Sequence, residues 1–190
     1  VNKLTSIFEA VTDLMKTLID DEPKRPLHIG EAMSCWTYLT MLEEEKANVQ
    51  IGLNTTTDTE LLDALNASMN LASAQSQELR DFMLREGVPL PPVSEIKPKS
   101  EPNSVPMGVK LTDDEIANAL SIKFAANYMT CATGAVESIR NDVGIMFVKF
   151  QAEKLKFGAS LKTLMRKRGW IKIPPYYVPN GLPNQELPKN

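Results

Sequence analysis

The sequence predicts an all-α chain: four long helices in a bundle, joined by two short loops and one long proline-rich connection. Three observations carry this. Apolar residues recur at steps of three and four in four separate stretches. Capping residues, glycines and prolines mark where those stretches start and stop. Six prolines (Pro89, Pro91, Pro92, Pro98, Pro102 and Pro106) gather in the single connection between the second and third stretches.

Composition sets the frame. The chain has 190 residues, 43% hydrophobic and 24% charged, which suits a packed domain and excludes a disordered one. The net charge of −3 provides no basic footprint for nucleic acid. No apolar run approaches the roughly 20 residues that a membrane span needs. Residues 1–20 alternate apolar and polar groups and lack the apolar stretch of a signal peptide. The expected location is the cytoplasm. Cys35 and Cys131 both fall inside apolar helical patterns, so they read as buried packing thiols of a reducing compartment instead of a disulfide framework.

The elements follow in order, and residues 1–190 read as one domain. A short amphipathic helix over 4–19 carries Leu4, Ile7, Phe8, Val11, Leu14, Met15 and Leu18, and Pro23 and Pro26 close it off. The first long helix, 27–53, has a seam of Ala32, Cys35, Leu39, Leu42, Val49 and Leu53, interrupted by Lys46, whose charge is expected in water. The second, 57–86, opens on the capping-box pattern Thr57-Asp58-Thr59-Glu60. Its seam is Leu61, Leu65, Ser68, Ala72, Gln75, Leu79 and Phe82, and Gly87 with Pro89 stops it. The connection, 87–111, is extended at about 3 Å per residue and can run the length of a helix. The third helix, 112–138, opens on Thr112-Asp113-Asp114-Glu115 and is apolar nearly all round, so it is expected to be buried on most sides. The fourth, 142–168, is capped by Asn141 or Asp142, presents Met146, Phe147, Phe150, Phe157, Leu161 and Leu164, and stops at Gly169. The tail, 169–190, is extended, with Trp170, Ile173, Tyr176 and Tyr177 expected to pack back over the bundle.

Short loops make each consecutive pair an antiparallel hairpin, and the long connection then crosses the bundle. One long crossover is the mark of ferritin-like topology. The chain also carries the runs Pro26-Leu27-His28-Ile29-Gly30-Glu31 with Trp36, Ile139-Arg140-Asn141-Asp142-Val143, Arg168-Gly169-Trp170 and Pro174-Pro175. Across about residues 4–177 they resemble a ferritin-like domain family of spore-forming bacteria, a family of unassigned activity that is distantly similar to spore coat protein F. The resemblance implies the fold and an association with the spore.

Candidate site residues are few. Ferritin-like bundles that hold two metals take a Glu from each of two helices and a Glu-x-x-His from each of the others. His28 is the only histidine, so that set cannot be completed. His28 and Glu31, three apart, share a helix face and offer two ligands for one metal, or a cap and a first-turn carboxylate. Glu153 lies between Phe150 and Phe157 on the apolar face, where it either finds a partner, as a third candidate metal ligand or as the anchor of a polar ligand, or sits at the edge of the stripe in solvent. Asn127 raises the same question on the third helix. Arg140 and Asp142 should lie level with His28 and Glu31, where a salt-bridge network locking the bundle end is expected. Glu43-Glu44-Glu45 reads as a solvated face. The sequence holds no Gly-rich phosphate loop, no Cys-x-x-Cys and no nucleophile at a recognisable spacing from its histidine.

The leading expectation is a non-enzymatic structural or interaction protein without cofactor, pairing with itself through an apolar helix face or the aromatic tail, or with a spore-coat or other protein. The alternatives are a bundle with one atypical iron, manganese or zinc site and redox activity, and a bundle that binds a small ligand.

Overall fold

A computed structural model describes Glu9, Thr12 and residues 24–175 except Ser94 and Ile96. The expected N-terminal helix lies outside the described residues apart from Glu9 and Thr12, and so do Tyr176 and Tyr177. The described residues form four long α-helices: α1 (Ile29–Leu53), α2 (Thr59–Arg85), α3 (Asp113–Glu137) and α4 (Asn141–Arg168). A short 3-10 turn, Pro102–Ser104, sits in the crossover. The topology is the ferritin-like one. α1 packs on α2 and α3, and α4 packs on α3 and α2, so the helices form a four-sided ring.

The ends show why these segments are helices. Thr112 and Glu115 form the reciprocal capping box at the start of α3. At α2 the cap is Asp58, whose Oδ1 accepts from Leu61 N at 2.9 Å, and the predicted Thr57 box does not form. Asp142 does not cap α4 either: Arg140 occupies the cap position and Asp142 lies inside the first turn. Gly87 (φ 73°) and Gly169 (φ 72°) take the left-handed conformation that ends α2 and α4. The crossover is fastened near its middle, where Asn54 Nδ2 donates to Pro98 O at 2.8 Å and Asn54 Oδ1 accepts from Ser100 N at 3.3 Å.

Side chains of all four helices fill the interior in two apolar clusters. One gathers Cys35, Tyr38, Leu39, Leu79, Phe147 and Phe150. The other gathers Val49, Leu61, Leu65, Phe124, Leu161 and Met165, with Trp170 packed against it. Trp170 thus docks as expected, while Ile173 is exposed.

The expectation that α3 is buried on most sides does not hold. Ile122, Met129 and Val136 are 71%, 68% and 86% exposed. The cause is its place in the ring: among the described residues α3 packs mainly on α4 and α1, and the side that carries Ile122, Met129 and Val136 is left exposed.

A charged layer at the bundle centre as candidate functional site

Between the two apolar clusters lies a polar layer to which each helix contributes one residue. Glu45 of α1, Ser68 of α2, Asn127 of α3 and Lys154 of α4 are all buried to within 1% of complete. Lys154 Nζ stands 2.7 Å from Glu45 Oε2. The same oxygen accepts from Asn127 Nδ2 at 2.5 Å, and Glu45 Oε1 accepts from Ser68 Oγ at 3.0 Å. The Lys154 ammonium also stands 4.4 Å from the centre of the Phe124 ring, whose face attracts a cation. Burial lowers the Lys154 pKa, and the Glu45 carboxylate opposes that shift. Asn127 Oδ1 is buried without a partner.

Beside the layer, Tyr38 OH donates to Gln75 Oε1 at 2.7 Å, and Gln75 Nε2 donates to Glu153 Oε2 at 2.8 Å. Glu153 is therefore only half-buried, and the fully buried charge of α4 is its neighbour Lys154. Burial raises the pKa of the Tyr38 phenol and pushes the thiols of Cys35 and Cys131 up to about 12 and about 11, which keeps both thiols protonated and inert. Both cysteines are free.

The expectation that Glu43-Glu44-Glu45 is a solvated face is corrected: Glu44 is exposed, but Glu43 and Glu45 are buried. Glu43 accepts from Ser76 Oγ at 2.5 Å and pairs with Lys46 at 2.6 Å and Arg80 at 3.0 Å. Burial pushes its pKa up, but hydrogen bonds from Lys46, Ser76 and Arg80 outweigh that and hold it below the usual carboxylate range. Lys46 consequently keeps its charge against Glu43, not in open water.

At the end of the bundle His28 and Glu31 form a capping box. His28 Nδ1 accepts from Gly30 N (3.0 Å) and Glu31 N (3.3 Å), while Glu31 Oε2 accepts from His28 N at 3.1 Å. Glu31 Oε1 accepts from Ile139 N (2.9 Å) and Arg140 N (2.7 Å), tying the start of α1 to the start of α4. Arg140 pairs with Glu86 (2.6 Å) and Asp142 (2.8 Å), and Lys24 also reaches Asp142 at 2.9 Å. Arg140 hydrogen bonds hold the Asp142 carboxyl down at about 2 and lower that of Glu86.

The structure thus brings His28, Glu31, Arg140 and Asp142 together, and keeps Asn127 and Glu153 away from them. Glu153 lies twelve residues into α4, about 18 Å along the helix from the Glu31 contacts. Among the described residues no group of three or more His, Cys, Asp or Glu side chains is placed to hold a metal ion. The donors at the centre do not suit the paired metal of a ferritin-like site: one carboxylate is present, and an ammonium group already supplies its countercharge.

Fold and site together define a ferritin-like helical bundle whose central polar layer is closed by a lysine–glutamate pair. The chain belongs to the family described as "Protein of unknown function (DUF3231)", whose model matches residues 15–181. It is 29% identical over 164 residues to "Uncharacterized protein YvdQ" of Bacillus subtilis (strain 168), covering 86% of this chain and 96% of that one. It resembles the crystal structure of a "putative spore coat protein" from Bacillus halodurans C-125, with a TM-score of 0.79, 30% identity, and coverage of 82% of this chain and 98% of that chain. A two-domain protein of Anabaena variabilis ATCC 29413, containing DJ-1/ThiJ/PfpI-like and ferritin-like domains, matches at a TM-score of 0.59 and 11% identity. That match covers 80% of this chain and 41% of the other, and it bears on the fold alone.

Proposed function

We propose that this chain is a non-enzymatic structural protein of the spore that assembles with a second copy of itself. The observation that carries the reading is the closure of its buried carboxylates. Glu31 accepts backbone N–H groups, Glu43 is held by Ser76, Lys46 and Arg80, and Glu45 by Lys154, Asn127 and Ser68. Carboxylates whose oxygens already accept from their own protein have little capacity left for metal capture or proton transfer, and a role in packing specificity fits them. The spore association rests on the description of the Bacillus halodurans relative.

The assembly face is the outer side of the α3–α4 hairpin. Ile122, Met129 and Val136 repeat at seven on α3 with exposed Ala125 and Ala126 between them. Ile145, Val148, Ala152, Leu155 and Ala159 repeat at three and four on α4. This is the spacing of a helix–helix seam, and no charge interrupts it. An uncharged face meets its own copy without like-charge repulsion, and its large and small side chains can interdigitate. Two helices of about fifteen residues give a footprint of roughly 450 Å² per copy, about 900 Å² in all, the size of a weak or transient contact between copies.

The test is chemical cross-linking of spores purified from cells producing either the wild-type chain or the Met129→Lys/Leu155→Lys variant. The wild type is expected in the spore fraction as a cross-linked dimer, and the variant only as monomer. Absence of the wild type from spores, or a dimer that survives both lysines, contradicts the proposal.

A further inference from the structure

A second feature of the bundle is independent of the assembly face and of the closed layer. α2 and α4 touch least of the four adjoining helix pairs, and the gap between them is a cleft of about 610 Å³. That volume lies within the range of small-molecule sites. Its walls are apolar, with Leu71 on α2 and Phe157, Leu161 and Leu164 on α4. Small side chains, Ala64 and Ala67, keep the α2 side open.

The charges decide what the cleft accepts. Glu60 at its lower rim is already neutralised by Lys167 and Arg168. Asp63 and Lys156, both exposed to solvent, add one charge of each sign at the rim. The two cations of α4 nearest to Glu153, Lys149 and Lys154, both feel its charge, but each is hydrogen-bonded to another carboxylate, Lys149 to Glu78 at 2.6 Å and Lys154 to Glu45 at 2.7 Å. The half-buried charge in the lining without an ion-pair partner among the described residues is Glu153, whose Oε2 is engaged by Gln75 and whose Oε1 has no hydrogen bond among the described residues. Gln75 fixes that carboxylate, and Tyr38 in turn fixes Gln75, so the group is oriented before any guest arrives. A carboxylate with a free oxygen, set in an apolar wall beside the ring of Phe157, is a receptor for a cation bearing a hydrocarbon tail.

We infer that the α2–α4 cleft binds a primary alkylammonium group, its nitrogen donating to Glu153 and its chain lying along Leu71, Phe157 and Leu161. Calorimetric titration of the full chain with n-octylammonium, octanoate and 1-octanol tests this directly. One octylammonium per chain is expected, bound at least about tenfold more tightly than either other probe, the difference that one charge-assisted hydrogen bond makes. Glu153→Gln is expected to remove that preference. Ala67→Trp, at an exposed helical position that tolerates a large side chain, is expected to block all three probes with helicity unchanged. No binding of octylammonium, equal binding of the three probes, or full binding by Ala67→Trp overturns the inference.

Discussion

Lys154 and Glu45 are a pair whose two halves depend on each other. Neither is solvated, and each would be an uncompensated buried charge without the other. Removing one partner of such a pair costs about 3–5 kcal/mol, whereas replacing both with neutral groups of similar size is often close to neutral. Lys154→Met is therefore expected to destabilise the bundle by about that amount in urea unfolding. Glu45→Gln/Lys154→Met, which keeps an amide for Ser68 and Asn127, is expected to recover most of the loss; a double variant no better than the single one contradicts the pairing. The same residues show where sequence reading stops. Position 153 lies three after Phe150 and four before Phe157, and position 154 lies four after and three before, so helical spacing fits both equally. Positions 45 and 46 divide the step from Leu42 to Val49 with the same ambiguity. Only the neighbouring helices decide which member of each pair points inward. A signal was present nonetheless: the seams of all four helices turn polar at one level, at Glu45, Ser68, Asn127 and Lys154, and that coincidence is visible once the hairpins are aligned.

At the scale of the element, the ends of the helices were the most legible part of the chain, because caps are local chemistry. Thr112 with Glu115, Gly87 and Gly169 act where the sequence places them. His28 as a cap was one of two readings, and its imidazole accepts the two N–H groups that a serine or aspartate would ordinarily take. The exposure of α3 is not legible in the sequence, because apolar composition does not say whether an outward face meets a neighbour within the chain or outside it. The bundle end also has a pH signature. Asp142 at about 2 and the lowered Glu86 both owe their shifts first to Arg140. A carboxyl depressed by folding adds stability above its ordinary pKa, and that stability is lost as pH falls through the folded value. The melting temperature is expected to drop from about pH 5 to about pH 2. Arg140→Ala should lower it at neutral pH and flatten the acid dependence, and the remaining slope belongs to carboxylates such as Glu43, whose partners are untouched. An acid dependence unchanged in Arg140→Ala would show that this cluster does not hold the bundle end.

Over the whole molecule, the ferritin-like ring keeps its four-helix frame while Ser68, Asn127 and Lys154 close on Glu45 at its centre, leaving Asn127 Oδ1 without a partner. Fold class and crossover were readable because length, periodicity and proline placement are properties of the chain alone. The closed layer was not, because it depends on four residues that sit 23 to 109 positions apart yet meet at one level. It is also the feature that separates a structural bundle from a metal-dependent one. The most direct measurement is therefore the elemental content of untagged protein, before and after reconstitution with iron, manganese and zinc and exhaustive dialysis. The closed layer predicts no stoichiometric metal in the wild type with any of the three ions. One or two retained equivalents per chain, lost in Glu45→Gln, His28→Ala or Glu153→Gln, would contradict the account and identify which carboxylate or imidazole the metal had taken from its protein partners.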